Sequence, residues 1–274
     1  MTRPHIEFVQ VQHLPWQADG LAPHRAGIDM KVLSRDGETS ELSAILRYPP
    51  GFARPPECLG VDEEFFVLEG AFTHRGHVYG PDTYGFWPAG LPRGRIEAPG
   101  GATVLTFLSG PLSAEPTALN PARLVERIDI REGEWVADLA AMGLTVMAST
   151  SRIRRLRSDP LTGEITYVTA TIPYWRESQP ERHPVSQEIF VLAGETAGNT
   201  GIMRPGAYTW RPENVTHGPY GSTTGAVFFF RSRGGALTTE HDPPTPFSFA
   251  PAHCPVLPPD LAPYGAPFEG PKRF

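Results

Sequence analysis

The amino-acid sequence predicts an all-β protein that contains two copies of one domain. Three observations support this prediction. Apolar segments such as Glu41–Tyr48 and Ile189–Leu192 are short, which is typical of strands rather than helices. Turn-forming residues are frequent, with 28 glycines and 31 prolines in 274 residues, and many of them separate these segments. The third observation is an internal repeat, which indicates two copies of one folding unit.

The repeat appears without gaps when 124 is added to the residue numbers of the first half. The segment Pro56–Gly70, P-E-C-L-G-V-D-E-E-F-F-V-L-E-G, then lies on Pro180–Gly194, P-E-R-H-P-V-S-Q-E-I-F-V-L-A-G. Further matching pairs are Pro81 and Pro205, Tyr84 and Tyr208, Pro88 and Pro212, and Gly94 and Gly218. The sequence therefore predicts an N-terminal domain at residues 1–115, a C-terminal domain at 116–240 and a Pro-rich extended tail at 241–274.

Four polar side chains of the second copy are spaced so that they can meet at one ion. Glu181 and His183 are two residues apart and point to the same face of an extended chain. Gln187 begins the apolar strand that follows, and His217 comes after the next strand along the chain. Ligands on rigid neighbouring strands favour a metal site formed by Glu181, His183, Gln187 and His217.

The spacing of these residues resembles the two signatures of the cupin superfamily, H-x-H-x3,4-E-x6-G and G-x5-P-x-G-x2-H-x3-N. His183 fits the second histidine, Gln187 the acidic ligand and His217 the last histidine. Glu181 stands at the first histidine position and Gln187 replaces the usual Glu, so the chain departs from the pattern twice. A register one residue later would use Glu188 instead of Gln187, and both registers stay open. The resemblance implies two tandem cupin barrels, each a double-stranded β-helix or jelly roll, and the chain is similar to a bicupin.

Both halves are also similar to the cupin modules of ChrR-type anti-sigma factors and to related single-cupin dioxygenases. This similarity rests on K-V-L-S-R-D-G-E-T-S-E-L-S-A-I-L-R-Y-P-P-G at residues 31–51 and on E-E-F-F-V-L-E-G-A-F at residues 63–72. The second copy repeats the first of these segments as R-L-R-S-D-P-L-T-G-E-I-T-Y-V-T-A-T-I-P at residues 155–173. The resemblance therefore extends over most of the chain.

The first copy lacks the imidazoles of the second. The positions equivalent to the four predicted ligands hold Glu57, Leu59, Glu63 and Arg93. The guanidinium of Arg93 can form bidentate hydrogen bonds with carboxylates, so an ion pair with Glu57 and Glu63 would replace the metal. We predict that the N-terminal copy binds no metal.

Two imidazoles with one or two oxygen ligands leave positions open for a substrate that binds through two oxygens, such as a β-diketone, an enol or a hydroxyketone. Fe2+ is the first choice of metal because the open positions also admit O2. Zn2+, Ni2+ or Mn2+ would polarise a carbonyl instead. Glu181 or Glu188 is the predicted catalytic base if it is not a ligand. The predicted substrate pocket is lined by Tyr167, Ile189, Tyr208, Trp210 and Phe228.

These residues predict a metal-dependent enzyme that acts on a small molecule, with a dioxygenase of diketone-like or hydroxyketone-like substrates as the first hypothesis. The alternative is a redox-neutral cyclase, isomerase or lyase that uses the same site, which the glutamine in the acidic position favours. A non-enzymatic metal- or ligand-binding module is the third hypothesis. Metal identity distinguishes the first hypothesis from the second, and the absence of metal would favour the third.

The composition excludes several classes of partner. A net charge of −6 and a pI near 5.9 argue against a nucleic-acid surface. Two cysteines, Cys58 and Cys254, form no disulfide framework. The first ten residues, M-T-R-P-H-I-E-F-V-Q, lack the apolar core of a signal peptide, and no segment approaches the length of a membrane span. We predict a cytoplasmic protein whose partner is a small-molecule substrate, with neither nucleic acid nor membrane involved.

The ends of the two copies suggest how they assemble. Residues 1–15 predict an edge strand that packs across a neighbouring sheet. The resemblance to cupins, which are often dimeric through strand exchange at the N-terminus, implies a homodimer, and this first strand fits it. Pro121–Ile130 is the predicted first strand of the second copy, and Glu134–Met142 is a predicted short helix.

The C-terminal tail is predicted to lie extended over a barrel or a partner subunit, with a lid over the metal site as the alternative. Its spaced aromatic rings are Phe247, Phe249, Tyr264, Phe268 and Phe274.

Overall fold

The structure is a computed structural model that describes residues 3–115, 117–137 and 151–274. These residues form two compact units, one mainly of Leu14–Gly133 and the other of Pro4–His13 together with Glu134–Arg273. Throughout the described residues the regular structure is β-strand with short 3-10 turns, so the predicted all-β class is confirmed. The predicted domain limits at residues 115 and 240 stay a prediction. Among the described residues, no helix is long and apolar enough to cross a membrane.

The first thirteen strands are β1 (Ile6–Gln10), β2 (Asp29–Arg35), β3 (Leu42–Tyr48), β4 (Phe52–Arg54), β5 (Glu57–Cys58), β6 (Glu63–Gly70), β7 (Phe72–His74), β8 (His77–Tyr79), β9 (Thr83–Trp87), β10 (Pro92–Arg93), β11 (Ile96–Ala98), β12 (Ala102–Leu108) and β13 (Val125–Asp129). The remaining strands are β14 (Arg152–Ser158), β15 (Ile165–Thr171), β16 (Trp175–Arg176), β17 (Glu181–Arg182), β18 (Ser186–Gly194), β19 (Thr196–Gly198), β20 (Gly201–Met203), β21 (Ala207–Arg211), β22 (Gly221–Ser222), β23 (Ala226–Arg233) and β24 (Glu240–His241). The 3-10 turns within the described residues are Val11–His13, Pro121–Arg123 and Ala262–Tyr264.

The N-terminal unit contains a six-stranded antiparallel sheet in the order β13-β9-β6-β12-β3-β2 and a four-stranded sheet in the order β4-β11-β7-β8. Its core is filled by aromatic rings. Phe65 packs on Trp87 with ring centroids 4.7 Å apart, and Phe72 stacks on Tyr79 at 4.8 Å. All four rings are almost completely buried, so the interior of this unit is densely packed.

The C-terminal unit repeats this architecture with the sheets β1-β21-β18-β23-β15-β14 and β16-β22-β19-β20 and the small ladder β17-β24. Successive side chains of β18 point to opposite faces of its sheet. Gln187 and Ile189 therefore face one side, and Glu188 and Phe190 face the other. This alternation decides which residues of the strand can reach a site inside the unit.

The first strand of each half completes the long sheet of the other half. Strand β1 is an edge strand, as predicted, and its partner is β21, with Ile6 opposite Trp210. Strand β13 lies beside β9 in the N-terminal sheet, with Asp129 opposite Thr83. The prediction that Pro121–Ile130 supplies the first strand of the second copy is therefore wrong. A sequence repeat gives the order of strands but does not show which sheet an edge strand joins. The homodimer stays a prediction.

The C-terminal tail is extended and is held on the C-terminal unit by backbone hydrogen bonds. Val256 pairs with Glu7 of β1 through bonds of 2.8 and 3.0 Å, and the Cys254 N–H donates to the Thr200 carbonyl at 2.8 Å. Most of the helix predicted at Glu134–Met142 lies in residues 138–142, outside the described residues.

Candidate metal centre

The polypeptide backbone brings together three of the four predicted ligands, Glu181, His183 and His217. Glu181 and His217 lie opposite each other in an antiparallel bridge, with both N–H···O distances at 2.9 Å. The carbonyl of His183 accepts the N–H of Asn214 at 2.7 Å, which ties the two segments together a second time. The ligands are therefore positioned by backbone pairing and not by the ends of flexible loops.

The side chains of these residues converge on one point. Nε2 of His183 and Nε2 of His217 each lie 3.5 Å from Oε1 of Glu181. All the potential ligand atoms lie within 4.8 Å of one another, and among the described residues this is the one cluster of three or more such groups. Two nitrogens and a carboxylate oxygen at this spacing are able to bind one face of a divalent cation.

The hydrogen bonds of the two imidazoles decide which ring nitrogen carries the proton. Nδ1 of His183 lies 2.9 Å from the Thr238 carbonyl, and Nδ1 of His217 lies 3.0 Å from the Val215 carbonyl. A carbonyl only accepts, so both Nδ1 atoms carry the proton and both Nε2 atoms present a lone pair. Nε2 of His217 is buried without a hydrogen-bond partner. Two lone pairs and a carboxylate oxygen thus face each other across a small space. A cation bound in this space would stabilise the arrangement.

The electrostatics favour the same protonation states. Burial and the positive charge of Arg211 lower the pKa of His217 below its usual value, which keeps the imidazole neutral. Neutral imidazoles and an ionised carboxylate are the forms that bind a metal.

Gln187 lies beside the cluster and presents its nitrogen to it. Nε2 of Gln187 is 3.2 Å from Nε2 of His183, whereas Oε1 accepts a hydrogen bond from Nη1 of Arg211 at 2.6 Å. Metal ligation by Gln187 would require its oxygen to leave Arg211, so this part of the predicted ligand set stays a prediction. Arg211 itself was not among the site residues predicted from the sequence.

Arg211 is held by two further residues that the sequence analysis also missed. Glu7 of β1 accepts from Nε and Nη2 of Arg211 at 2.6 and 2.7 Å, and the Tyr220 hydroxyl contacts both side chains at 2.6 Å. Burial would raise the pKa of Glu7, but Arg211 reverses this and lowers the pKa. Glu7 precedes its partner by about two hundred residues, and no local pattern links them.

A cavity of about 80 Å³ lies above the cluster. Tyr167, Ile189 and Phe228 line it, as predicted. The remaining predicted pocket residues, Tyr208 and Trp210, belong to the opposite face of the sheet. Because strand side chains alternate, they share that face with Glu188, whose carboxylate accepts hydrogen bonds from Tyr208 and from Arg231 at 2.8 Å. The expectations that Tyr208 and Trp210 line the pocket and that Glu188 acts in it are therefore wrong.

The cavity exists because the repeat has lost its aromatic core at this place. The four rings that fill the N-terminal unit have shorter or polar counterparts in the C-terminal unit, and all four counterparts line the cavity. These pairs are Phe65 and Ile189, Phe72 and Thr196, Tyr79 and Met203, and Trp87 and Arg211. The comparison of these positions was available from the sequence and would have identified Arg211.

Glu177 is a further carboxyl that lines the cavity and that the sequence analysis missed. One of its oxygens accepts the Tyr220 N–H at 2.8 Å. Burial and then the negative charge of Glu181 raise the pKa of Glu177 to about 8. A carboxyl of this kind can hold or transfer a proton near neutral pH.

In the N-terminal unit the equivalent position holds an ion-pair cluster. Nη1 of Arg93 lies 2.5 Å from Glu63 and 3.4 Å from Glu57, as the sequence predicts. Arg25, which the sequence analysis missed, is the bidentate partner of Glu63 at 2.6 Å for both bonds, and Arg54 contacts Glu57. Buried guanidinium groups thus occupy the place where a cation would bind.

The antiparallel sheets, the repeat and the cluster define a cupin fold, and solved structures support this class. A candidate dioxygenase from Nostoc punctiforme PCC 73102 superimposes with a TM-score of 0.77 at 18% identity, covering 89% of this chain and 92% of the other. Oxalate decarboxylase from Bacillus subtilis, a protein described with Mn(II) centres, gives a TM-score of 0.55 at 12% identity, covering 86% and 79%. At these identities the similarity shows the fold.

The chain belongs to the family described as Domain of unknown function (DUF4437), whose model matches residues 7–238. No curated protein matches the sequence. The similarity to ChrR-type modules stays a prediction.

Proposed function

We propose that this protein is a metal-dependent enzyme of the bicupin type whose reaction takes place in the cavity of the C-terminal unit. The observation that carries this proposal is the pair of imidazole lone pairs directed at the Glu181 carboxylate, with Nε2 of His217 left unpartnered. Glu181, His183 and His217 would hold the ion, with Fe2+ as the first choice and Zn2+, Ni2+ or Mn2+ as alternatives. When bound, the ion supplies Lewis-acid chemistry, and iron also supplies reactivity toward O2.

The protein residues restrict the substrate. The apolar walls at Tyr167, Ile189 and Phe228 exclude water and accept a hydrophobic group. The limited volume of the cavity selects a small molecule. An ion held by the cluster at the base of the cavity would orient a substrate that binds through two oxygen atoms. We therefore propose a dioxygenase that acts on a diketone-like or hydroxyketone-like substrate.

A redox-neutral cyclase, isomerase or lyase is the second candidate, and Glu177 is the observation that favours it. A carboxyl with a raised pKa beside the cluster can move a proton to or from the substrate. It takes the place of Glu181 or Glu188, the bases predicted from the sequence, as the group that exchanges a proton with the substrate. The third hypothesis, a metal- or ligand-binding module without catalysis, predicts no turnover.

Elemental analysis of protein purified without added metal tests this proposal. We expect about one metal ion per chain in the wild type, and its loss in His217→Ala and in His183→Ala. His77→Ala is the matched control because His77 is exposed at the start of strand β8 in the N-terminal unit. Iron, followed by oxygen uptake with acetylacetone, would support the dioxygenase. Zinc, nickel or manganese would support redox-neutral chemistry. A wild type that binds no metal, or metal retained in the histidine variants, would overturn the proposal.

A further inference from the structure

Gln187 occupies the position of an acidic ligand, yet its surroundings give it a different role. We propose that Gln187 is a hydrogen-bond donor to an oxygen anion bound at the metal, and that Glu7 and Arg211 hold it in this orientation. This inference rests on the proposed metal site. It adds a substrate class, which is a molecule that carries negative charge on oxygen when bound, such as an enolate.

The orientation of the amide follows from the chemistry of its neighbours. A guanidinium group only donates hydrogen bonds, so the group of Gln187 that lies 2.6 Å from Nη1 of Arg211 must be the carbonyl oxygen. The NH2 group consequently points toward His183 and the cavity. A rotated amide would direct its N–H groups at the guanidinium and leave buried donors without acceptors.

Arg211 cannot move to accommodate such a rotation. Its Nε and Nη2 form a bidentate pair with Glu7, the Tyr220 hydroxyl contacts the guanidinium, and only 1% of the residue is exposed. Three of its polar contacts would have to change together. The chain Glu7–Arg211–Gln187 therefore fixes the amide nitrogen on the metal side.

The metal itself would make this nitrogen available to a substrate. In the structure, Nε2 of Gln187 donates to the lone pair of His183 Nε2 at 3.2 Å. A cation held by His183 would occupy that lone pair, and the NH2 group would then lack its acceptor. The nearest replacement is an oxygen of a molecule bound at the same ion, because Gln187 lines the cavity beside it.

The repeat supplies a contrast at the same position. Glu63 of the N-terminal unit is an acceptor that binds two guanidinium groups. A carboxylate at position 187 would add a second negative charge next to Glu181 and would repel an anionic substrate. The amide keeps the hydrogen bond to Arg211 and presents a donor instead of a charge.

The test uses the full-length protein loaded with Co2+ and acetohydroxamate as the probe, since this molecule binds metals through two oxygens and carries negative charge. Cobalt content is measured by elemental analysis and probe affinity by the visible spectrum of the cobalt. The variants are Gln187→Leu, which removes the donor, and Gln187→Glu, which replaces it with an acceptor. Gln17→Leu is the matched control because Gln17 is exposed and belongs to the N-terminal unit.

We expect every variant to bind one Co2+ per chain, and Gln17→Leu to bind the probe like the wild type. Acetohydroxamate should bind about tenfold more weakly to Gln187→Leu, since one charge-assisted hydrogen bond is lost, and more weakly still to Gln187→Glu. Loss of cobalt from Gln187→Leu but not from the wild type would show that Gln187 is a ligand and would overturn this inference alone. Unchanged probe affinity in Gln187→Leu or Gln187→Glu would also overturn it. A wild type that binds no cobalt would overturn the metal site and, with it, this inference.

Discussion

Nε2 of His217 lies 3.5 Å from the carboxylate of Glu181, although it has no proton to share with it. Its Nδ1 proton is directed at the Val215 carbonyl, and burial lowers the pKa of the ring. Inside the protein, the ionised carboxylate of Glu181 therefore faces the neutral Nε2 of His217, and both atoms are hydrogen-bond acceptors. Such an arrangement is costly without a cation, which is why the cluster indicates a metal site more strongly than its spacing alone.

The tautomer of His217 can be observed directly. In 15N NMR spectra of the metal-free protein at pH 7, we expect Nδ1 of His217 to be protonated and Nε2 to be unprotonated. Addition of Zn2+ should shift the Nε2 resonance and leave Nδ1 protonated, because the Val215 carbonyl keeps its donor. His217→Ala identifies the signal and His77→Ala is the control. A proton on Nε2 in the metal-free state would contradict the assignment of the lone pair.

Restoring the aromatic core should close the cavity without removing the metal ligands. The double variant Thr196→Phe, Met203→Tyr copies residues Phe72 and Tyr79 of the N-terminal unit. We expect it to bind metal like the wild type and to lose acetohydroxamate binding, at a cost of about 1–3 kcal/mol in stability from overpacking. Metal content, probe titration and urea unfolding measure these effects.

A variant that opens the interior of the N-terminal unit is the control for the double variant. Phe72→Ala opens the interior of the N-terminal unit, and we expect the free energy of unfolding to fall by about 3–5 kcal/mol while metal and probe binding stay unchanged. Probe binding that survives in the double variant would show that the ligand does not enter this cavity.

The sequence was sufficient for the parts of the site that depend on local spacing. Alternation along strands placed Glu181 and His183 on one face, and the resemblance to the second cupin signature located His217. The same alternation failed for Glu188, because the run Ile189–Leu192 is apolar at every position and hides which face is inside. Both registers therefore stayed open from the sequence alone. In the structure, Gln187 lies on the face of the site and Glu188 on the opposite face.

Contacts between residues that are far apart in the chain were harder to predict from the sequence. Glu7 reaches Arg211 because β1 joins the sheet of the C-terminal unit, and that pairing depends on the path of the chain between the halves. The position of Glu177 at the cavity depends on the hydrogen bonds that its backbone N–H and its carboxylate form with the backbone of Tyr220, which no spacing in the sequence reveals. The substitution of Trp87 by Arg211 within the repeat was the one sequence signal of this network.

The ion-pair cluster of the N-terminal unit should contribute to stability in a pH-dependent way. Burial would raise the pKa of Glu63, but Arg25 and Arg93 outweigh it and lower the pKa below the usual value of 4.5. A lowered folded-state pKa stabilises the protein above the unfolded value, and this contribution decreases as pH falls below it, by about 1.4 kcal/mol per unit. Glu63→Gln should therefore destabilise the protein by about 3–5 kcal/mol at pH 7 and by less at pH 3.

Urea unfolding at pH 7, 5 and 3 measures this difference. Glu97→Gln is the matched control, since Glu97 forms an exposed ion pair with Arg95, and its effect should stay below about 1 kcal/mol. If the difference in the free energy of unfolding between wild type and Glu63→Gln increased toward acid pH, the ion-pair assignment would be contradicted.

Glu177 should be protonated at neutral pH in the metal-free protein. Burial and the charge of Glu181 raise the pKa of Glu177 to about 8, so the acid form dominates below that pH and the carboxylate above it. We expect a carboxylic-acid carbonyl band in the infrared spectrum at pH 7 that disappears as pH rises through about 8. Glu177→Gln should lack the band, whereas Glu188→Gln should retain it. Zn2+ should shift its loss to lower pH, because the cation offsets the charge of Glu181; a band unaffected by metal would place Glu177 outside the influence of the site.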